Sequence, residues 1–361
     1  MLGGIFLLWV GFIYFVTVAE PVLRGQSSVN GVLADSIGYH AFAEEESFES
    51  MVTKTLGALR AGDYDFLNLH FGLFGVSFVA WVVGKVFGNQ YEMVIFVINY
   101  ILVVSAVKNY SGVFYRLQRR YYRYFMVLLL CNPALYPNLG SLNKEIFGIF
   151  FVSSFLKNMF MKRYFRFLVV AVTSLIFRDA YFYVAILFFF MNRFSIKSVI
   201  PLIGISLVAP VVLSNLTYHV AADLGARSEF LFSPMLEIEK YPMGYLVTYM
   251  PKLAIQFFTG MYPARLADMA IKDPYGTSQT LSSMAFFACF LALGYRMLTK
   301  KYVPELIVLR LFFAYTFIFC LTPYSVHRMF IPLYPVVIMM ALLGTTRKLA
   351  KCSKRYVFAT S

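Results

Sequence analysis

The sequence predicts an all-α polytopic membrane protein with about ten transmembrane helices, plus re-entrant or interfacial helices on its outer face. Three observations carry this. Hydrophobic residues make up 60% of the 361 and charged residues only 14%, against about 25% charged in soluble domains. Apolar runs approaching the ~20 residues that a bilayer needs recur along the whole chain. The basic residues sit in short clusters between those runs, as they do in the inner loops of multi-span proteins.

The first run, Leu2–Ala19, has no charged leading region and no small-residue cleavage site before Glu20, so it reads as a retained span and not a removed signal peptide. Further spans are expected at Tyr91–Val107, Tyr124–Gly140, Ile146–Phe160, Phe165–Phe177, Ala180–Met191, Val199–Ser214, Leu281–Leu298, Leu306–Thr322 and Met329–Thr345. One more run, Leu69–Gly88, is apolar enough to cross but carries His70, Lys85 and four glycines.

Five clusters hold more than half of the 32 basic residues. They are Lys108/Arg116/Arg119/Arg120/Arg123, Lys157/Lys162/Arg163/Arg166, Arg193/Lys197, Arg296/Lys300/Lys301 and Arg347/Lys348/Lys351/Lys354/Arg355. The spans place all five on one face, which the positive-inside rule makes cytoplasmic. Nearly all acidic residues lie elsewhere, Glu305 being the clear exception. Two topologies satisfy the clusters: Leu69–Gly88 stays on the outer face with the N-terminus inside, or it crosses with the N-terminus outside. The loop Glu20–Leu67 has three basic residues against eight acidic ones, which favours an outer loop and a re-entrant or interfacial Leu69–Gly88.

The chain therefore reads as one integral domain over residues 1–361. Residues 20–90 form the first outer segment, 215–280 a large outer loop in which Tyr245–Met261 suits an interfacial helix, and 346–361 a basic cytoplasmic tail. The net charge of +14 belongs to inner loops, so no nucleic-acid partner is expected. Of the four cysteines, Cys131, Cys289 and Cys320 lie in apolar runs and Cys352 in the basic tail, so no disulfide framework or zinc spacing is suggested.

The outer face collects the residues that can carry chemistry. Asp35, with Tyr39 and His40 just beyond it, suits a general base acting on a sugar hydroxyl; Asp35-Ser36 equally suits a helix N-cap. Lys144-Glu145 lies in a polar island, Ser141–Glu145, between two apolar runs. Lys144 reads as a phosphate contact oriented by Glu145, or the island is a solvated turn. Arg178-Asp179 interrupts the apolar stretch Phe165–Met191, where charges commonly pair and face a cavity; a neutralised tight turn is the alternative. His327-Arg328 precedes Pro332 and Pro335. Arg328 there grips a phosphate oxygen or snorkels to headgroups. In the large loop, Arg227 and Arg265 are the guanidinium groups suited to phosphate, in a mixed-charge segment most of which reads as solvated surface.

The candidate acid–base residues are thus Asp35, His40, Glu145 and Asp179. The candidate phosphate or glycan contacts are Tyr39, Lys144, Arg178, Arg227, Arg265, His327 and Arg328. No Walker loop, dinucleotide glycine pattern, HExxH or Ser-His-Asp signature occurs, so nucleotide-driven chemistry is not indicated. A reaction at the outer face would use a pre-activated substrate, for which a lipid-linked sugar is the natural class. No Asp-Asp or Glu-Asp metal pair stands out; no metal ligand or cofactor is assigned, and a divalent metal stays open.

Several short motifs carry a resemblance. They are Asp35-x-x-x-Tyr39-His40 after the first span, Gly62-Asp63-Tyr64-Asp65-Phe66 before an apolar helix, Asn143-Lys144-Glu145-Ile146-Phe147 opening a span, Arg178-Asp179, and the terminal His327-Arg328-x-x-x-Pro332-x-x-Pro335. With the late outer loop, this layout resembles the Wzy-type O-antigen and capsule polymerases and their EpsG-like relatives. Those belong to the wider group of GT-C-like membrane glycosyltransferases that use polyprenyl-linked sugars. The resemblance implies a bacterial inner-membrane protein with a periplasmic active face. It would transfer a growing glycan from undecaprenyl diphosphate onto another lipid-linked repeat unit, working beside a chain-length regulator protein. A GT-C-type transferase using a polyprenyl-monophosphate sugar and an O-antigen ligase share parts of the layout. A secondary transporter or flippase is the alternative of another class.

Overall fold

The computed structural model describes residues 2–19, 39, 48–61, 64–132, 135–140, 142–194, 238, 241, 244, 247–248, 251, 274–299, 302–321 and 327–346. In chain order the helices are α1 (Leu2–Tyr14, continued by a π-helical turn Phe15–Ala19), α2 (Phe48–Ala61), α3 (Tyr64–Phe87), α4 (Tyr91–Leu117), α5 (Tyr122–Leu130), α6 (Leu135–Leu139), α7 (Lys144–Phe160), α8 (Tyr164–Phe177) and α9 (Asp179–Arg193). After the large loop come α10 (Pro274–Thr299), α11 (Leu306–Leu321), a 3₁₀ segment (His327–Leu333) and α12 (Tyr334–Leu342). Two three-residue strands, β1 (Tyr302–Pro304) and β2 (Gly344–Thr346), pair antiparallel with Tyr302 opposite Thr346. They clip the start of α11 to the end of α12, an addition to the all-α expectation.

Four expected boundaries need correction. Tyr124–Gly140 is not one span: it divides into α5 and α6 with Asn132 buried between them. Proline lacks an N–H and its ring crowds the preceding turn of a helix, and the sequence has Pro133 between the two helices. The Ser141–Glu145 island is not a separate turn. Asn143 caps α7, its side-chain oxygen accepting from the Ile146 N–H at 3.1 Å, and Lys144 and Glu145 form the first turn. Residues 274–280, assigned to the large loop, belong to α10. Met329–Thr345 opens as a 3₁₀ segment containing Pro332 before α12 begins, and it ends in β2. The run read as re-entrant or interfacial lies in α3, an uninterrupted 24-residue helix, a length common among interfacial helices. Val199–Ser214 lies outside the described residues.

Contacts along the helices fix their directions. Asn99 donates to the carbonyls of Asn138 and Leu139, Asn109 donates to Ser153 and Ser154, and Arg116 donates to the Met161 sulfur. These contacts step forward together, so α4 and α7 run parallel, with the broken α5–α6 segment as the return path. Tyr181 meets Phe319, their ring centroids 5.6 Å apart, while Asn192 meets Arg310, so α9 and α11 run antiparallel. One end of the bundle therefore gathers the start of α7, the junction of α8 and α9, and the end of α11. The other gathers Arg116, Lys157, Arg163, Arg193 and Arg296. The basic clusters among the described residues lie at the end opposite the Arg178-Asp179 junction.

The interior is partly polar and the outside is apolar. Asn99, Asn109, Ser153, Ser154, Ser174 and Thr316 are buried. On α8, Phe165, Leu168, Val169, Val172 and Ile176 form one exposed stripe at helical spacing, with Phe165 78% exposed. Met93, Val97 and Ile101 do the same on α4. Apolar surface in continuous stripes like these is an aggregation liability in water. Among the described residues, one helix, α4, is both long and apolar enough to cross a membrane; six further apolar helices are shorter.

Candidate functional site

Arg178 is the single residue between α8 and α9. Its extended backbone, φ −168° and ψ 120°, turns the chain sharply. Its N–H donates to the Ser174 carbonyl at 2.9 Å, and its own carbonyl accepts from Tyr181 at 3.1 Å, so it ends one helix and begins the next. Asp179 follows in the first turn of α9, where its carboxylate complements the helix dipole and accepts from the Ala180 N–H at 2.7 Å. The Asp179 side chain is exposed, while Arg178 is half-buried.

The Arg178 guanidinium points back into the bundle. Its carbon lies 5.1 Å from the Phe319 ring centroid and 6.0 Å from that of Tyr181, distances at which a cation is attracted to the ring face. Tyr181 is hydrogen-bonded to the side chains of Arg178 and Tyr315, and its hydroxyl also approaches the Lys144 carbonyl at a long 3.5 Å. Tyr315 and Phe319 stack at 4.3 Å and 10°, presenting a flat aromatic wall from α11. Glu145, in the first turn of α7, is buried at 4% exposure. Burial pulls the Arg178 pKa down, but Tyr181, Glu145, Tyr315 and Asp179 together hold it above the ordinary arginine value. Arg178 therefore stays charged, in the field of two carboxylates.

Two features set the spacing. Gly148, one turn beyond Glu145, has no side chain because the space is filled: a Cβ there would overlap the Tyr181 hydroxyl, lie 2.5 Å from Tyr181 Cζ and 2.8 Å from Pro332 Cγ. The close approach of α9 and the 3₁₀ segment to α7 thus depends on this glycine. An asparagine network fixes the start of α7. Asn143 donates to the Asn138 side chain at 2.7 Å, and Asn99 holds the carbonyls at the end of α6.

The structure brings together Lys144, Glu145, Arg178 and Asp179, four of the residues singled out from the sequence. The 3₁₀ segment that begins with His327 and Arg328 packs against α7, and its Pro332 carbonyl accepts from Tyr110 at 3.3 Å. Tyr39 is buried in the core. Asp35, His40, Arg227 and Arg265 lie outside the described residues. Sequence reading missed Tyr181, Tyr315, Phe319 and Gly148. The i, i+3 spacing of Arg178 and Tyr181 and the i, i+4 spacing of Tyr315 and Phe319 were the available signals.

Chemically, the arrangement offers a guanidinium held against aromatic rings and in the field of a buried carboxylate. Such a cation can neutralise charge growing on a phosphate oxygen, and such a carboxylate can take a proton from a hydroxyl. The chain matches no protein-family model, no characterised protein and no solved structure.

Proposed function

We propose that the chain is an integral protein of the bacterial inner membrane that crosses it about ten times, with the Arg178 end of the bundle facing the periplasm. There it acts as a glycosyltransferase that polymerises lipid-linked oligosaccharide repeat units. The membrane placement is supported by the apolar stripes on α4 and α8, which suit lipid where they would not suit water. The orientation is supported by the basic residues at the opposite end.

The observation that carries the activity is the convergence of Glu145 and Arg178 from separate helices, with Tyr181 and Tyr315 between α9 and α11. In the reaction, an acceptor sugar hydroxyl attacks the anomeric carbon of the donor glycan. The new glycosidic C–O bond forms as the bond to undecaprenyl diphosphate breaks. The hydroxyl proton passes to a carboxylate, for which Glu145 is the described candidate and Asp35 the other. The diphosphate leaves with its negative charge opposite Arg178, and the aromatic wall excludes water from the charged pair. A donor carrying one phosphate, as in a GT-C-type single-sugar transfer, fits the same residues and differs only in its product.

The test is deletion of the gene followed by electrophoresis of surface polysaccharide. Collapse of the ladder to a single-repeat band is expected. A ladder of unchanged length sinks the polymerase reading, and loss of one sugar from every band favours the single-sugar transferase. Complementation with E145Q or R178K should leave the collapse in place while the protein accumulates normally. The break between α5 and α6 favours a second reading, a secondary transporter or flippase, because interrupted helices are common at transport sites. That reading expects lipid-linked repeat units to build up on the cytoplasmic face, where a polymerase mutant accumulates them on the periplasmic face.

A further inference from the structure

At the end of the bundle opposite Arg178, a half-buried lysine is surrounded by other cations. Lys157, near the end of α7, donates to the Asn109 amide oxygen of α4 at 2.8 Å, and the same amide donates to Ser153 and Ser154 at 3.2 Å each. The ammonium is therefore held in place between two helices, not swinging free. The charges acting on it come from Lys108, Arg163 and Arg166, on α4, on the α7–α8 turn and on α8. The three are exposed around the half-buried Lys157. The turn itself is rigid: Arg163 N–H donates to the Asn158 carbonyl at 2.8 Å and Lys162 N–H to Met159 at 3.1 Å, a closed helix end.

Charges that only set topology need nothing beyond solvent. Three like charges gathered around a half-buried ammonium repel it and one another, and an anion between them removes that cost. Depth matches as well. At 27 residues α4 is about 40 Å long, some 10 Å more than the hydrocarbon core. Its final turns, from about Lys108 onward, then reach the level of the phosphates.

We propose that Lys157, held by the Asn109 amide, together with Lys108, Arg163 and Arg166 forms a binding site for the phosphate of an anionic membrane lipid on the cytoplasmic leaflet. The proposal rests on the membrane placement given above and not on the glycosyltransferase activity. The lipid phosphate accepts from Lys157 and from the arginines, and its acyl chains lie along the apolar stripe of α8, beside Arg166.

The experiment uses the full-length protein purified in detergent, with phosphatidylglycerol, phosphatidylcholine or inorganic phosphate added. Thermal stability and retained lipid are read by native mass spectrometry. Phosphatidylglycerol should raise the midpoint and stay bound, and phosphatidylcholine should do neither. K157Q, or the exposed double variant R163Q/R166Q if K157Q fails to fold, should weaken retention about fivefold for each cation removed, the usual effect of a basic residue near an anionic surface. Equal retention of the two lipids, or retention unchanged in the variants, overturns the site. Stabilisation by inorganic phosphate equal to that by phosphatidylglycerol assigns the site to a free anion and overturns the lipid claim. Alkaline carbonate washing of membranes separates the two levels: release of the protein refutes the membrane placement, while a retained protein with no lipid preference refutes this site alone.

Discussion

Replacing Gly148 with alanine tests the packing that holds Tyr181 beside Arg178. In a helix interior, glycine to alanine normally stabilises by about 1 kcal/mol. Here the added methyl meets the Tyr181 hydroxyl, Tyr181 Cζ at 2.5 Å and Pro332 Cγ at 2.8 Å. Overpacking of a core costs about 1–3 kcal/mol, and displacing the Tyr181 hydroxyl from its partners costs about 1 kcal/mol more. The net is a destabilisation of about 2 kcal/mol, a fall in midpoint of about 3 °C for a chain of this size. Thermal unfolding of the purified protein reads it directly. A double-mutant cycle then assigns the cause. G148A/Y181F removes the hydroxyl overlap but leaves the ring carbon, so its rescue is partial. G148A/Y181L removes the ring and should be more stable than the sum of the single effects. A G148A protein at or above wild-type stability, or strict additivity with Y181L, refutes the close approach of α9 to α7.

Other outcomes follow from the same structure. N143A removes the cap of α7 and the bond to Asn138, and should lower unfolding stability by about 2 kcal/mol. K162G should raise stability by about 1 kcal/mol, since Lys162 holds a left-handed backbone at φ 55° that glycine adopts freely; a fall in midpoint would contradict that geometry. R296A should destabilise, because Arg296 donates to the Ala341 carbonyl at the end of α12 while stacking 4.0 Å over Tyr302; chemical denaturation checks it. Burial pushes the Tyr302 hydroxyl up to about 12, with Arg296 pulling the other way. A phenol whose folded pKa is raised stabilises the fold fully below its unfolded value of about 10, and that contribution is lost as pH rises toward 12. The stability difference between wild type and Y302F should therefore narrow between pH 10 and pH 12, as unfolding at stepped pH will show.

How much could be read from the sequence alone differed from place to place. As a helix, Leu306–Thr322 was legible almost to the residue, since α11 is Leu306–Leu321; an apolar run bounded by Glu305 and a Thr-Pro pair leaves little choice. Arg178-Asp179 was legible as a charged break, because beyond Arg166 at its edge nothing else interrupts that apolar stretch. The division of α5 from α6 was missed because the flanking apolar runs were read as one span, although Asn132, Pro133, Pro137 and Asn138 mark the interruption. The aromatic wall was hidden for a statistical reason. With 26 tyrosines and 39 phenylalanines, no single ring stands out until the helices are placed. Gly148 was hidden for a physical one: its role is to leave a space empty, and the ring that fills the space lies 33 residues away.

The parallel pairing of α4 with α7 sets a timetable for assembly. Asn109 and its partner Ser153 are separated by 44 residues, all of which must be synthesised before that amide can find its partner. At about 5–20 residues per second, that is a wait of roughly 2–9 s. During it, in the membrane setting proposed here, a helix carrying Asn99 and Asn109 must be held by the insertion machinery or shielded by lipid headgroups. The order of synthesis thus makes α4 the helix that waits, and α7 the helix whose arrival commits the fold.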